Sequence, residues 1–117
     1  MENERILVAD DMSADQTAEG IEMAGKADGH QVVGIACSKE QLEDLLNGGL
    51  SPSIALVDSN FPLPNDGREA ANIIRRLSPK TFVISLSSEI QKWGDKNWSK
   101  SYTSYKELVE RITKLQH

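Results

Sequence analysis

Apolar residues fall along this chain in two alternating rhythms. Short runs that are apolar at nearly every position occupy residues 6–9, 31–36, 54–58 and about 81–86. Continuous rather than alternating hydrophobicity over four to six residues marks strands buried on both faces. Between these runs the apolar residues recur three or four apart: Ala18, Ile21 and Ala24; Leu42, Leu45 and Leu46; Ala70, Ile73, Ile74 and Leu77; Leu108, Ile112 and Leu115. That spacing predicts four amphipathic helices, the last with Lys106, Arg111 and Lys114 outward. Ser13 with Gln16, Ser38 with Gln41 and Ser104 with Glu107 have the three-residue separation of a capping box, so three helices have a start signal. Gly48-Gly49 and Ser78-Pro79 supply stops, while Gly20 and Gly25 weaken the first helix. Strands alternating with helices predict an α/β domain built on a parallel sheet with helices on both faces.

Three of the strands end on residues able to handle phosphate or a metal. The first runs into Asp10-Asp11, the third ends on Asp58, and the fourth leads into Ser87-Ser88. Open α/β sheets place their sites outside the carboxyl ends of the strands, so an acidic pair, a lone carboxylate and a hydroxyl are expected in one pocket. Each has a plainer reading alone. An acidic pair suits a helix start, an Asp before Asn60 suits a turn, and serines end many strands.

The composition fits one domain spanning residues 1–117. Hydrophobic residues make up 38% and charged residues 26%, which points away from the disordered and membrane classes. Residues 1–5 lead directly into the first strand without a signal-peptide pattern, so the expected compartment is the cytoplasm. A net charge of −5 lacks the basic stripe of a nucleic-acid binder. Cys37 has no second cysteine for a disulfide or thiolate site. His30 and His117 have no neighbours at ligand spacing, and Trp93 and Trp98 read as packing residues. No phosphate-binding glycine loop is present.

The ordered set resembles the receiver domains of two-component response regulators. Ile6 to Asp11 looks like the family's first strand with its acidic pair. Asp58 falls at the phosphoacceptor position. Pro62 followed by Asp66-Gly67-Arg68-Glu69 resembles the loop and helix start after it, and Ser87 falls where a Thr or Ser ends the fourth strand. The resemblance implies a flavodoxin-like, doubly wound five-stranded parallel sheet of order 2-1-3-4-5. It also implies Mg²⁺ held by Asp10, Asp11, Asp58 and the backbone carbonyl of Asn60, with Ser87 and a lysine, Lys100, meeting the phosphoryl oxygens. The donor would be a histidine kinase or phosphotransfer protein. The chain would catalyse its own modification rather than turn over a substrate, with no direct contact to nucleic acid or membrane.

Two departures from the family pattern bear on this. The loop between Asp58 and Gly67 is about one residue longer than usual. Lys100 follows Ser87 by only thirteen positions, with Ser101 in place of a proline, so the fourth helix of the family is expected to be short or missing. The register is open: one alignment puts Lys100 in the pocket, the other Ser101, and a one-residue slip reverses the face. Two further readings stay beside the phosphoacceptor. One is a pseudo-receiver that acts as a phosphorylation-independent interaction module. The other, a phosphatase with an aspartate nucleophile, is disfavoured because Ala9-Asp10-Asp11 stands in place of a D-x-D pattern.

Overall fold

In the computed structural model, residues 4–10, 13–61, 67–100 and 104–115 are described. Asp11, Pro62 through Asp66, Ser101 and His117 lie outside them. The elements alternate as expected: β1 (Arg5–Ala9), α1 (Ala14–Gly25), β2 (Gln31–Ala36), α2 (Lys39–Asn47), β3 (Ile54–Asp58), α3 (Gly67–Leu77), β4 (Phe82–Ser87), β5 (Lys96–Ser99) and α4 (Tyr105–Thr113). All pairings are parallel, in the order β2-β1-β3-β4-β5. The flavodoxin-like architecture predicted from the sequence is therefore present. Among the described residues, no helix is long and apolar enough to cross a membrane.

Side-chain alternation along the strands splits the core into two layers. Ile6, Val8, Ile54, Leu56, Ile84 and Leu86 pack with Ile21 of α1 and Leu108 and Ile112 of α4. Leu7, Ala9, Ala55, Val57 and Val83 face the other way, onto Leu42 and Leu46 of α2 and Ala70 and Ile74 of α3. Every residue of β3, the central strand, is buried. Its continuous apolar run is the consequence of having a helix layer on each side.

Local signals held where nothing stronger competed. The Ser38 and Ser104 hydroxyls cap α2 and α4, accepting the N–H groups of Gln41 and Glu107 at 3.1 and 3.3 Å. Ser13 does not cap α1. Its hydroxyl donates to Asp10 Oδ2 at 2.8 Å and its N–H to Asp10 Oδ1 at 3.2 Å, because an ionised acceptor outcompetes a helix-start amide for the hydroxyl. The glycines of α1 have a tertiary purpose: the Tyr105 ring lies where a Gly20 Cβ would stand, and His30 crosses Gly25. Thr81, expected to open the fourth strand, instead closes a turn with Ser78 and donates to the Pro52 carbonyl at 2.7 Å. Arg111, expected outward, is half-buried, 6.0 Å from the centre of the Trp98 ring and paired with Glu107.

His30 is structural. It is 4% exposed, accepts the Glu4 N–H on Nδ1 at 3.1 Å, and is therefore protonated on Nε2, which donates to Thr113 Oγ1 at 2.9 Å. The ring thus ties the start of β1 to the end of α4. His30→Ala should cost about 3 kcal/mol, from a cavity and a buried amide left unpaired. Urea unfolding would show this as a lower midpoint at unchanged slope, and an unchanged midpoint would refute the tie.

Between β4 and β5 there is no helix. Residues 88–95 form a chain of bends. Strand alternation turns Ser85, Ser87, Asn97 and Ser99 toward the side on which that helix would pack, so the apolar surface it would need is absent. Polar ties hold the bends in its stead. Ser85 Oγ donates to Asn97 Oδ1 at 2.7 Å, the same oxygen accepts the Gly94 N–H, and Asp95 pairs with both backbone groups of Val83. Trp93 packs onto the α2–α3 layer.

Candidate functional site

The site forms at the carboxyl ends of β1, β3 and β5. Asp58 ends β3, and its side chain is 8% exposed. Asp58 Oδ1 accepts the Asn60 N–H at 2.9 Å, which fixes the carboxylate in an Asx turn, and Oδ2 accepts Lys100 Nζ at 2.5 Å. Asp10, just past β1, is buried and receives the two hydrogen bonds from Ser13. Asp10, Ser13, Gln16, Asp58, Lys100 and Tyr105 border a cavity of about 210 Å³ whose floor is Val8, Leu56 and Leu86.

The register that places Lys100 there follows from β5. Ser99 pairs with Ser87, and the Lys100 N–H continues the ladder by donating to the Ser87 carbonyl at 2.8 Å. Trp98 packs on the α1–α4 layer, so Lys100, two residues on, points to the same side, as does Asp58, two residues past Leu56. Of the two alignments, the structure therefore has the one with Lys100 in the pocket.

Electrostatics in the pocket are dominated by burial. Desolvation raises the Asp58 pKa above its ordinary value of 3.8, and the negative charge of Asp10 adds to the rise. Hydrogen bonding and charge from Lys100, with the Asn60 N–H, oppose it without cancelling it. A carboxylate in this state favours a second cation.

Ser87 is not in the cavity. Its Oγ accepts from Ser59 Oγ at 2.9 Å, from the Glu89 N–H at 3.2 Å and from Gln91 Nε2 at 3.3 Å, all on the α2–α3 side of the strand end. The structure thus brings Asp10, Asp58, Asn60 and Lys100 together and turns Ser87 toward the 88–95 segment. Asp11 lies outside the described residues, among which no group of three potential metal-ligating side chains occurs. Ser13 reads in the sequence only as a helix cap, Ser59 has no signal but its place beside Asp58, and Gln91 has none.

No known family model and no curated protein matches the sequence. Solved structures do match. A response regulator from Thermotoga maritima superposes with a TM-score of 0.75 at 20% identity, covering 97% of each chain. The chain has the fold of a response regulator receiver domain. The signal receiver domain of the putative response regulator NarL from Mycobacterium tuberculosis shares that receiver fold at 26% identity and a TM-score of 0.70, with 97% of this chain and 95% of that one covered. A response regulator from Burkholderia pseudomallei, described with a phosphorylated aspartic acid, a calcium ion and citrate, does so at 20% identity and 0.72, over 95% of this chain and 65% of that one. Within the receiver fold, the bends at residues 88–95 stand between β4 and β5.

Proposed function

We propose that this chain acts in two-component signalling as a phosphoacceptor, taking a phosphoryl group on Asp58 from a histidine kinase or phosphotransfer protein. The observation that carries the reading is the Lys100 ammonium on Asp58 Oδ2, with Asp10 beside it, at the carboxyl edge of a receiver fold. The phosphorylated aspartate of the Burkholderia neighbour supports it by analogy. An Asp58 oxygen forms the new bond to phosphorus while the donor's bond breaks, its electron pair leaving with the donor. Lys100 offsets the repulsion between carboxylate and phosphoryl group and afterwards pairs with a phosphoryl oxygen. Ser87 would donate to another oxygen on turning away from Ser59 and Gln91. The chain modifies itself and turns over no separate substrate, in keeping with a cytoplasmic signalling role.

The donor set suits a small hard cation, since Asp10 and Asp58 border the cavity with carboxylate oxygens, to which the resemblance adds the Asn60 carbonyl. With Asp11 these residues would hold Mg²⁺, which when bound supplies positive charge between two anions. Melting in millimolar Mg²⁺ should therefore shift upward, and the shift should shrink in Asp11→Asn. An equal shift in that variant removes Asp11 from the ligand set.

Incubation with acetyl phosphate and Mg²⁺ should add the mass of one phosphoryl group to the intact chain. Unchanged mass across several donors would favour the pseudo-receiver, a second reading supported by the polar bends that replace a helix between β4 and β5.

A further inference from the structure

The bends at residues 88–95 leave a groove of about 560 Å³ against the first turn of α3, lined by Arg68, Glu89, Ile90, Gln91, Lys92 and Trp93. Ile90 is 67% exposed, and the half-buried Trp93 carries the apolar surface down to the core. One exposed isoleucine is ordinary on a protein surface and means little alone. The charges beside this one set the chemistry of the partner it fits.

The chain as a whole is acidic, at −5. Lys39, Arg75, Lys100 and Arg111 are held in ion pairs with Glu69, Asp95, Asp58 and Glu107. Arg68 and Lys92 are exposed and have no ion-pair partner among the described residues. Glu89 is the single acid of the lining, so the groove has a net positive charge on an acidic protein. It is also held in shape. Gln91 Nε2 donates to the Glu89 carbonyl at 2.8 Å as well as to Ser87, and Arg75 Nη2 donates to the Trp93 carbonyl at 2.7 Å. A surface ordered beforehand loses little entropy on binding.

We propose that this groove docks an acidic segment of a partner protein bearing one apolar anchor. The segment's carboxylates face Arg68 and Lys92, and its anchor sits on Ile90 and Trp93. Opposite charges give the complementarity and select against basic partners, while the apolar contact supplies the desolvated centre that such interfaces rely on. The site is separate from the Asp58 pocket, and binding is expected in the unphosphorylated chain, in which Gln91 is tied to Ser87.

The test uses the intact chain and two short synthetic peptides, one of Asp and Glu around a central Phe, the other with Lys in place of each acid. Amide NMR should show saturable binding of the acidic peptide, with shifts at Arg68 and at residues 89–93 and affinity that falls with salt. Ile90→Asp with Lys92→Glu, both at exposed positions, should weaken it about tenfold or more. Arg68→Glu with Lys92→Glu should instead take the Lys peptide. Absence of acidic-peptide binding, binding unchanged in Ile90→Asp with Lys92→Glu, or equal binding of the Lys peptide by the unaltered chain would overturn the proposal. So would self-association in sedimentation equilibrium that disappears in the Ile90→Asp variant, which would assign the groove to a second copy.

Discussion

Asp58→Asn is expected to abolish phosphoryl uptake completely and, in metal-free buffer near pH 7, to leave the fold at least as stable as the parent. The first effect follows from removing the nucleophilic oxygen, since an amide does not attack phosphorus at a useful rate. The second follows from the sign of the Asp58 shift. In the unfolded chain this carboxyl releases its proton near its ordinary 3.8; in the folded chain burial, reinforced by Asp10, holds the proton to higher pH. The folded state therefore binds more protons within that window, and stability falls as pH rises through the folded pKa. Below 3.8 parent and variant should be alike, and above the window the variant should keep a constant advantage. The Lys100 left behind is partly solvated, with its side chain 38% exposed, so it is not stranded as a buried charge. Intact-mass measurement after acetyl phosphate checks the first effect, and melts from pH 3 to 8 in chelator check the second. A variant clearly less stable than the parent at pH 7 would mean that the Lys100 attraction outweighs desolvation.

Gly67→Ala should be the most damaging single methyl group near the site. A Cβ there would collide with the Asp58 carbonyl oxygen and lie 2.7 Å from the Ser59 Cα, with the Trp93 ring at 2.8 Å. Two of these neighbours are backbone, and the Gly67 N–H is bonded to the Ser59 carbonyl at 2.9 Å, so α3 can retreat only by breaking that contact. Overpacking of this kind costs about 3 kcal/mol, a fall in Tm of roughly 10 °C for a domain this size. Phosphoryl uptake should fall as well, because the displaced backbone carries Asp58. Gly34→Ala is the control. Its nearest neighbour, at 2.7 Å, is the tip of the Leu50 side chain, which can rotate away. Equal Tm values for the two variants would show that the close approach at Gly67 relaxes freely.

The first four strands, their ends and the helices were legible because each rests on short-range pattern, whereas β5 and the sheet order came from the resemblance to receiver domains. Runs such as Ile54 to Val57 are apolar at every position only if both faces are covered, and strand–helix alternation then permits few topologies. Asp10 and Asp58 could be singled out because each sits at the end of such a run, while Lys100, which follows the largely polar Lys96 to Ser99, and the missing helix were legible only against the family's spacing from Ser87.

Tertiary structure decided what depends on a neighbour distant in sequence. Ser13 and Gln16 look like a capping box, yet the Ser13 hydroxyl turns to Asp10, because a charged acceptor in reach is stronger than a helix-start amide. Gly20 reads as a weak point of a helix until the Tyr105 ring is seen to need its space. Which of two residues faces Asp58 was set by the pairing of Ser99 with Ser87, since strand faces alternate and only the ladder fixes the register. Ser87 lies at the end of β4 as its sequence position implies, but its hydroxyl bonds Ser59, Glu89 and Gln91 rather than entering the cavity. A sequence pattern records where a side chain leaves the backbone; the hydrogen-bond partners it finds there depend on packing.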